Sequence, residues 1–594
     1  MLKTGILLPT SGVPIKAKKV SLLQSDFNDR FNVNREYVVS LKNDNLLQNY
    51  YIEAGLKSWS SKPEGIHWGW ESPECQLRGH FLGHWLSAAS KIFDQTGDDE
   101  IKGKADRIIS ELYRCQKENG GKWAGSIPQK YFDWIASGKR VWAPHYTVHK
   151  TFMGLVDMYK YSQNSKSLDI ADRWADWFHE WSGNYTRQQM DDILDFETGG
   201  MLEIWADLYG ITGKQKYIEL MERYDRPRLF EKLLANEDPL TNKHANTTIP
   251  EIHGAARAWE VTQDSRYRKI VEAYWNQSVL ERGYFCTGGQ TNAEVWSPKH
   301  TLGTRLSPTN QEHCVVYNMI RLADYLFRWT GDVNYLDYIE RNIYNGIFAQ
   351  QNPYTGMVIY YMPLHANSVK KWGSPTEHFW CCHGTLVQAH TMYAEIACYE
   401  SVDELFISQY IPATFKWIKN GVEIEIKLNL LPKWIDTHDC KDNKIHVEIK
   451  TSQPIEFSVN FRIPWWVDNA PDFRINDESY NTDFKKISDF VTIKRYWHND
   501  NITITLDKKV YTVSLPDIPD MVAFMYGPTV LAGLCEEERT IYTGGKPPGQ
   551  LLRPFNVSKW DKESFYTTEQ PINIKFIPLH DVINERYTIY FPVK

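Results

Sequence analysis

The sequence has no long apolar run, no basic stripe and no regular spacing of cysteines. None of its apolar runs approaches the roughly 20 residues of a bilayer-spanning helix, and its start, through Pro9, is too short and too soon broken by proline to predict a signal peptide. Acidic and basic residues are interspersed, with a net charge of −7. We therefore expect neither nucleic acid nor a membrane as a partner.

The nine cysteines form an odd set scattered along the chain, which argues against a disulfide framework. Free thiols favour a reducing compartment, most simply the cytoplasm. The 594 residues predict two or three domains. Aromatic residues make up 14%, including 23 Trp. Such a content suits a cleft that stacks on sugar rings, but large cores also use Trp, so composition does not decide between the two. The oligomeric state is open, with a homodimer as one option.

A short polar phrase, typically Thr-Gly-Asp or similar, recurs through the first two thirds of the chain at intervals of 50 to 68 residues. It occurs at Gln95–Asp98, Tyr161–Asn164, Ile211–Lys214, Val261–Asp264 and Trp329–Asp332. Each copy follows an apolar helical pattern, and most precede another helix start, which is typical of an αα-hairpin. Recurrence predicts an array of hairpins, and closing it into a ring would hide its ends. We predict an all-α toroid, (α/α)6, over residues 36–405.

After about residue 405 the apolar pattern changes to period two. Val422–Leu428, Ile445–Lys450 and Ile502–Leu506 alternate apolar with polar residues. Such runs separated by turns predict antiparallel β-sandwich structure over residues 406–594. Residues 1–35 are expected to form an extended segment that packs on this β region.

Two cysteine motifs carry the most specific signal. Cys381 and Cys382 are adjacent, and upstream Glu312 and Cys314 form a Glu-x-Cys pair. Neighbouring cysteines rarely reach disulfide geometry. Three thiols and a carboxylate are ligands that zinc accepts in tetrahedral sites, so the motifs indicate a zinc site. Cysteine-rich zinc sites are more often structural than catalytic, and the motifs alone leave both roles open.

The chain resembles glycoside hydrolase families 127 and 146, the zinc-dependent β-L-arabinofuranosidases and their relatives, and is closer to the 146 branch. The matching stretches are Gly69–Glu71 with Leu77–His84, Val148–Lys150, Gly199–Met201 with Glu203, His244–Thr247 with Ile249–Pro250, Gly288–Gly289 with Glu294, Glu312 with Cys314, Trp380–Thr385, Arg462–Trp465, Phe576–Leu579 and Arg586–Tyr587. Each is weak alone, but their order along the whole chain is specific. The family's helical toroid followed by β-sandwich agrees with the periodicity.

The resemblance implies roles for individual residues. Glu312, Cys314, Cys381 and Cys382 would hold one zinc ion, Cys381 would be the nucleophile, and Glu294 would be the acid/base. The family further suggests a set of sugar-binding residues. These are His149, Glu203 and His244.

The leading hypothesis is therefore a retaining exo-glycosidase that releases terminal β-L-arabinofuranosyl residues from small oligosaccharides. The same mechanism on another furanoside or pectic sugar is an alternative, since Ala293 and the segment 299–310 depart from the family pattern. A second class is a carbohydrate-binding protein whose zinc is only structural, which would not need Glu294. A third, a toroid using a carboxylate pair on other sugars, leaves the paired cysteines unexplained.

Overall fold

The computed structural model describes residues 15–16, 20–57, 66–430, 442–554 and 563–594. Helices occupy the first two thirds and strands the last third. The helices are α1 (Asp26–Ser40), α2 (Asn43–Leu46), α3 (Gln48–Glu53), α4 (His80–Thr96), α5 (Asp99–Glu118), α6 (Lys130–Ala136), α7 (Pro144–Ser162), α8 (Ser165–Ser182), α9 (Arg187–Phe196), α10 (Met201–Thr212), α11 (Gln215–Tyr224), α12 (Pro227–Leu234), α13 (Ala245–Thr262), α14 (Ser265–Trp275), α15 (His313–Thr330), α16 (Val333–Asn342), α17 (Cys381–Ala389) and α18 (Tyr393–Ala397).

Six helices form a closed inner ring. In order around it, α4, α7, α10, α13, α15 and α17 each contact the next, and α17 contacts α4. Most of the buried apolar side chains of these helices belong to one continuous core. The predicted helical toroid followed by β structure is confirmed. Its sixth outer position is filled by α1, which contacts both α4 and α17.

The recurring phrase marks the C-terminus of five inner helices, and each of its residues has a physical role there. In the first copy, the Thr96 hydroxyl donates to the carbonyl of Ile92 at 2.7 Å. Gly97 then takes a left-handed backbone, which ends α4. Asp98 caps the start of α5 by accepting from the backbone of Glu100. The phrase is therefore a combined helix stop and helix start.

The strands form two main sheets. They are β1 (Ile15–Lys16), β2 (Val20–Leu22), β3 (Thr291–Asn292), β4 (Val295–Trp296), β5 (Cys398–Glu400), β6 (Glu404–Ile407), β7 (Ala413–Lys419), β8 (Val422–Leu430), β9 (Asp442–Ile463), β10 (Asp472–Ile475), β11 (Glu478–Ser479), β12 (Asp489–Asp507), β13 (Val510–Leu515), β14 (Ile518–Tyr526), β15 (Thr529–Leu534), β16 (Leu552–Pro554), β17 (Phe565–Thr567), β18 (Lys575–Pro578) and β19 (Tyr590–Pro592). One sheet has ten strands and includes β1, β2 and β5–β12, the other has seven from β13 onward, and β3 and β4 form a separate hairpin.

The N-terminal strands pair with the larger sheet, β1 with β5 and β2 with β7. The domain limits at residues 35 and 405 stay predictions, and the first of them falls inside α1. The seven-stranded sheet packs against loops of the helical region through a cluster that includes Phe285, Leu302 and Ile359. None of the helices in the described part of the chain combines the length and apolar character that a membrane span needs.

The inner helices α4 and α7 touch backbone to backbone. A Cβ on Gly83 would lie 1.9 Å from the Lys150 carbonyl oxygen, and one on Gly154 would lie 2.5 Å from that of Gly83. Because a backbone carbonyl cannot rotate away as a side chain can, only glycine fits at these positions. This contact fixes the distance between the two helices.

We expect Gly83→Ala to lower the free energy of unfolding by about 3 kcal/mol or more, since the new methyl group must push the ring apart. Gly103→Ala is the matched control, because Gly103 is exposed on α5 and a Cβ there would meet nothing within 4 Å. That substitution should stabilise the protein by about 1 kcal/mol through helix propensity. Chemical denaturation of both variants makes the comparison, and equal stabilities would contradict the close packing.

Candidate metal centre and active site

Two helix N-termini meet at the cysteine motifs. Cys314 lies in the first turn of α15, and Glu312 is the residue just before that helix. Cys381 and Cys382 are the first two residues of α17. The helices α15 and α17 are in contact. Since helix N-termini carry partial positive charge and free N–H groups, both favour anionic side chains at this place.

The four predicted ligands come together. The Cys314 and Cys382 Sγ atoms are 3.5 Å apart, and those of Cys381 and Cys382 are 3.8 Å apart. Cys381 Sγ lies 3.5 Å from Glu312 Oε1. All four ligand atoms lie within 4.8 Å of one another, and all four residues are buried.

This arrangement fits a tetrahedral dication. Zinc–sulfur bonds of 2.3 Å place sulfur ligands about 3.8 Å apart, close to the separations here. In addition, Glu312 Oε2 is buried and has no hydrogen-bond partner among the described residues. A buried carboxylate oxygen without a partner is costly unless it binds a cation. The cluster can therefore hold a metal ion.

Among the three thiols of the cluster, the pKa is lowered only at Cys381. Burial opposes ionisation of its thiol, but hydrogen bonds from Cys314, Cys382 and Tyr360 outweigh it and hold the pKa of Cys381 well below its usual value. Burial and the neighbouring Cys381 raise the pKa of Cys314. Burial, followed by the charge of Cys381, also raises the pKa of Glu312. Cys381 is thus the most readily ionised of the three thiols.

Glu294 is presented by a strained turn. It lies with Ala293 in the two-residue connection between β3 and β4, and their φ angles are +49° for Ala293 and +66° for Glu294. Such turns favour Asn and Gly, so side chains here cost conformational energy. Two backbone bonds hold the turn, since Ala293 N–H donates to the Thr309 carbonyl at 3.0 Å and Ala245 N–H to the Glu294 carbonyl at 2.8 Å. The turn places the Glu294 carboxyl beside the cluster of cysteines and Glu312, within 4.8 Å of Glu312 and of His244.

Tyr360 joins the predicted nucleophile to the predicted acid/base. Its hydroxyl donates to the Glu294 carboxylate and lies 3.5 Å from Cys381 Sγ. Burial, followed by the charge of Cys381, raises the pKa of Tyr360, so the phenol keeps its proton. Sequence reasoning missed this residue because Tyr360 belongs to no repeat or motif. Only the folded chain brings it to the cluster.

A cavity of about 1580 Å³ opens onto this centre, and Cys381, Glu294, Glu312 and Tyr360 line it. Of the predicted sugar-binding residues, His244 lines the cavity and its ring is 44% exposed. His149 and Glu203 are buried and not part of the wall. Their contact with sugar stays a prediction, as do the roles of the other predicted site residues.

His149 and Glu203 lie in a buried polar layer. Glu203 accepts a hydrogen bond from Arg321. Neither ring nitrogen of His149 has a partner among the described residues, and burial lowers the pKa of His149 well below its usual value. In contrast, Lys150 and Tyr146 of the same helix line the cavity. The sequence pattern could not show which residues of α7 face the cavity. Lys150 lines it, whereas the preceding residue, His149, does not.

Comparison with known proteins follows the same division of the chain. Residues 19–395 match the model of the β-L-arabinofuranosidase catalytic domain of glycoside hydrolase family 127, and residues 404–508 match the middle domain of that family. The search of curated proteins gave no match.

Several solved structures share the fold. A family 127 β-arabinofuranosidase is 17% identical with a TM-score of 0.76, over 100% of this chain and 98% of that one. A family 127 β-L-arabinofuranosidase from Geobacillus stearothermophilus T6 is 16% identical with a TM-score of 0.73, over 97% and 100%. A third structure, described as a glycoside hydrolase, is 14% identical with a TM-score of 0.71, over 100% of both chains.

We expect Tyr360→Phe to raise the pKa of the Cys381 thiol by about one unit, because the variant loses a hydrogen bond that favours the thiolate. The rate of alkylation of metal-free protein by iodoacetamide, followed against pH with peptide mapping, reports this pKa. Tyr361→Phe is the control, since its ring packs beside that of Tyr360 at 4.6 Å between centroids. An unchanged profile in Tyr360→Phe would show that the hydroxyl does not act on the thiol.

Proposed function

We propose that this chain, which belongs to glycoside hydrolase family 127, releases terminal β-L-arabinofuranosyl residues from oligosaccharides with retention of configuration. The observation that carries the proposal is the line of contacts from Cys381 through the Tyr360 hydroxyl to Glu294. It sets a readily ionised thiol and a carboxyl side by side on the wall of one cavity. Retaining glycosidases need a nucleophile and an acid/base in that relation.

The first step forms a bond between Cys381 Sγ and the anomeric carbon. As the glycosidic bond breaks, Glu294 gives its proton to the leaving oxygen, which departs as an alcohol. The sugar is then held as a thioether on Cys381. In the second step Glu294 takes a proton from water, whose oxygen attacks the anomeric carbon and displaces the sulfur as thiolate. Two inversions retain the configuration.

The metal in this proposal is zinc, held by Glu312, Cys314, Cys381 and Cys382. When bound, it would keep the three thiols ionised at neutral pH and leave the cluster with a formal charge of −2. The chain's own residues would do the rest. Tyr360 would orient the sulfur and the carboxyl, and His244, exposed beside Glu294, would contact the sugar.

Two observations favour catalysis over a purely structural metal. Cys381 lines the cavity, whereas Cys314 and Cys382 do not. The chain also holds Ala293 and Glu294 at positive φ, a strain that a structural metal site would not require.

The cytoplasmic location and the homodimer stay predictions. The eight cysteines in the described part of the chain are free.

We expect one zinc ion per chain by mass spectrometry of the purified protein. Cys314→Ser and Glu312→Ala should each lower the zinc content well below one, since each removes one of four ligands. Cys535→Ser should keep it, because Cys535 lies in the seven-stranded region after β15. Full zinc in both ligand variants would place the metal elsewhere.

We expect wild-type protein to release p-nitrophenol from the aryl β-L-arabinofuranoside. Folded Cys381→Ser should lose activity by about ten thousand-fold, because the nucleophile is removed. Glu294→Gln should lose activity as well, and more with poor leaving groups than with p-nitrophenol. Glu281→Gln is the control, since Glu281 pairs with Lys299 outside the cavity.

Proton NMR of the first product formed should show the β-anomer. Inversion, or turnover that survives in Cys381→Ser, would overturn the thiolate mechanism. No turnover by the wild type would instead refute the substrate, and other furanosides and pectic sugars would be assayed next.

A further inference from the structure

An aromatic wall runs from the reaction centre to the mouth of the cavity. The ring of Tyr360 packs edge-on against Trp70, with centroids 6.4 Å apart. Trp70 packs edge-on against Trp142, with centroids 4.9 Å apart. All three residues line the cavity. The wall is therefore continuous from the hydroxyl beside Cys381 out to Trp142.

Trp142 is held in an exposed position by its neighbours. It is 47% exposed, and its backbone N–H donates to Gln76 Oε1 at 2.8 Å. The next residue, Ala143, has φ +52° and ψ +51° directly before Pro144. This left-handed conformation is strained for two reasons. A side chain disfavours positive φ, and a residue before proline normally takes an extended backbone. Strain that keeps a large apolar ring in solvent indicates a binding role.

The C-terminal end of α9 presents a second exposed aromatic ring. Phe196 is 40% exposed and lines the same cavity. Its neighbour Glu197 accepts hydrogen bonds from the backbone of His145 at 2.7 Å and of Tyr146 at 3.1 Å, which ties the end of α9 to the start of α7. Among the large apolar residues exposed in the described part of the chain, Trp142 and Phe196 are the two on the cavity wall.

The position of Trp142 determines which part of a substrate it would meet. Cys381 is 6% exposed, so the sugar that it attacks lies at the inner end of the cavity. Glu294 would protonate the leaving oxygen, and everything beyond that oxygen extends toward the mouth. A volume of about 1580 Å³ exceeds the 300–1,000 Å³ of a site for one drug-sized ligand. Space remains for a leaving group larger than one small alcohol.

We propose that Trp142, braced by Trp70, is a stacking platform for a sugar of the leaving group, so that the enzyme selects oligosaccharides over simple glycosides. This inference rests on the proposed function. The apolar faces of sugar rings pack on indole, the aromatic side chain with the largest area. Because the platform is already exposed and fixed, little conformational entropy is lost when a sugar binds to it.

The test compares methyl β-L-arabinofuranoside with a panel of β-L-arabinofuranosyl-L-arabinose disaccharides that differ in linkage. For the wild type, kcat/KM should be higher for the best disaccharide than for the methyl glycoside. Trp142→Ala should lower kcat/KM for that disaccharide about tenfold, mainly through KM, and leave the methyl glycoside within about twofold. Trp142→Phe should recover most of the loss. Tyr354→Ala is the control, since Tyr354 is 75% exposed but lies outside the cavity wall.

An equal loss on both substrates, or no loss on either, would overturn the platform. Binding gives a readout that does not depend on turnover, by saturation-transfer NMR of a disaccharide with Cys381→Ala protein. Protons of the leaving-group sugar should receive saturation, and the added Trp142→Ala substitution should remove it. If no substrate is turned over while the Trp142-dependent contact is seen, the proposed function fails and the platform stands. Absence of that contact would refute the platform.

Discussion

The structure depends on bringing four acidic side chains into one buried place. Glu312 and the three thiols repel one another once ionised, and burial penalises each charge. The fold offsets this by directing the N-termini of α15 and α17 at the cluster, whose N–H groups favour anions. Closing the ring brings the second helix into place. A Cβ on Gly384 of α17 would lie 2.1 Å from the His84 ring on α4, so these two helices pack too closely for any side chain at position 384.

The β region supports the site without belonging to the ring. Tyr590 of the seven-stranded sheet accepts a hydrogen bond from the backbone of Cys286 at 2.7 Å. Cys286 lies in the loop that leads to the Glu294 turn. The same sheet packs on Ile359, the residue before Tyr360. Glu294, the proposed acid/base, and Tyr360, which would orient it, are thus carried by loops held between the toroid and a sheet.

Local rules explain what the sequence could predict. Helix ends were readable because Thr and Gly in the recurring phrase end one helix and Asp caps the start of the next. Strands were readable because apolar and polar residues alternate along them, as the pleat of a sheet requires. The four residues that could hold a metal ion were readable from residue type. The sixth outer helix could not be read from the sequence. Helix α1 lacks the recurring phrase, and it joins the ring by contacting α17, which is far away along the sequence. The turn at Ala293–Glu294 was also hidden, because neither residue is the Asn or Gly that such a turn favours. The position of Tyr360 beside Cys381 and Glu294 could be found only from the whole fold.

The Tyr360 hydroxyl lies between the proposed nucleophile, Cys381, and the proposed acid/base, Glu294. It has a single proton, kept because burial and the charge of Cys381 raise the pKa of Tyr360. That proton can serve the thiolate or the Glu294 carboxylate, but not both at once. In the structure the hydroxyl donates to Glu294 and lies 3.5 Å from Cys381 Sγ. In the proposed mechanism, a bond donated to the Cys381 thiolate would steady the sulfur. In the same mechanism, Cys381 would lose its charge once it carried the sugar, and the same donor would then be left to the Glu294 carboxylate. It would hold that group beside the cavity, where water would be activated.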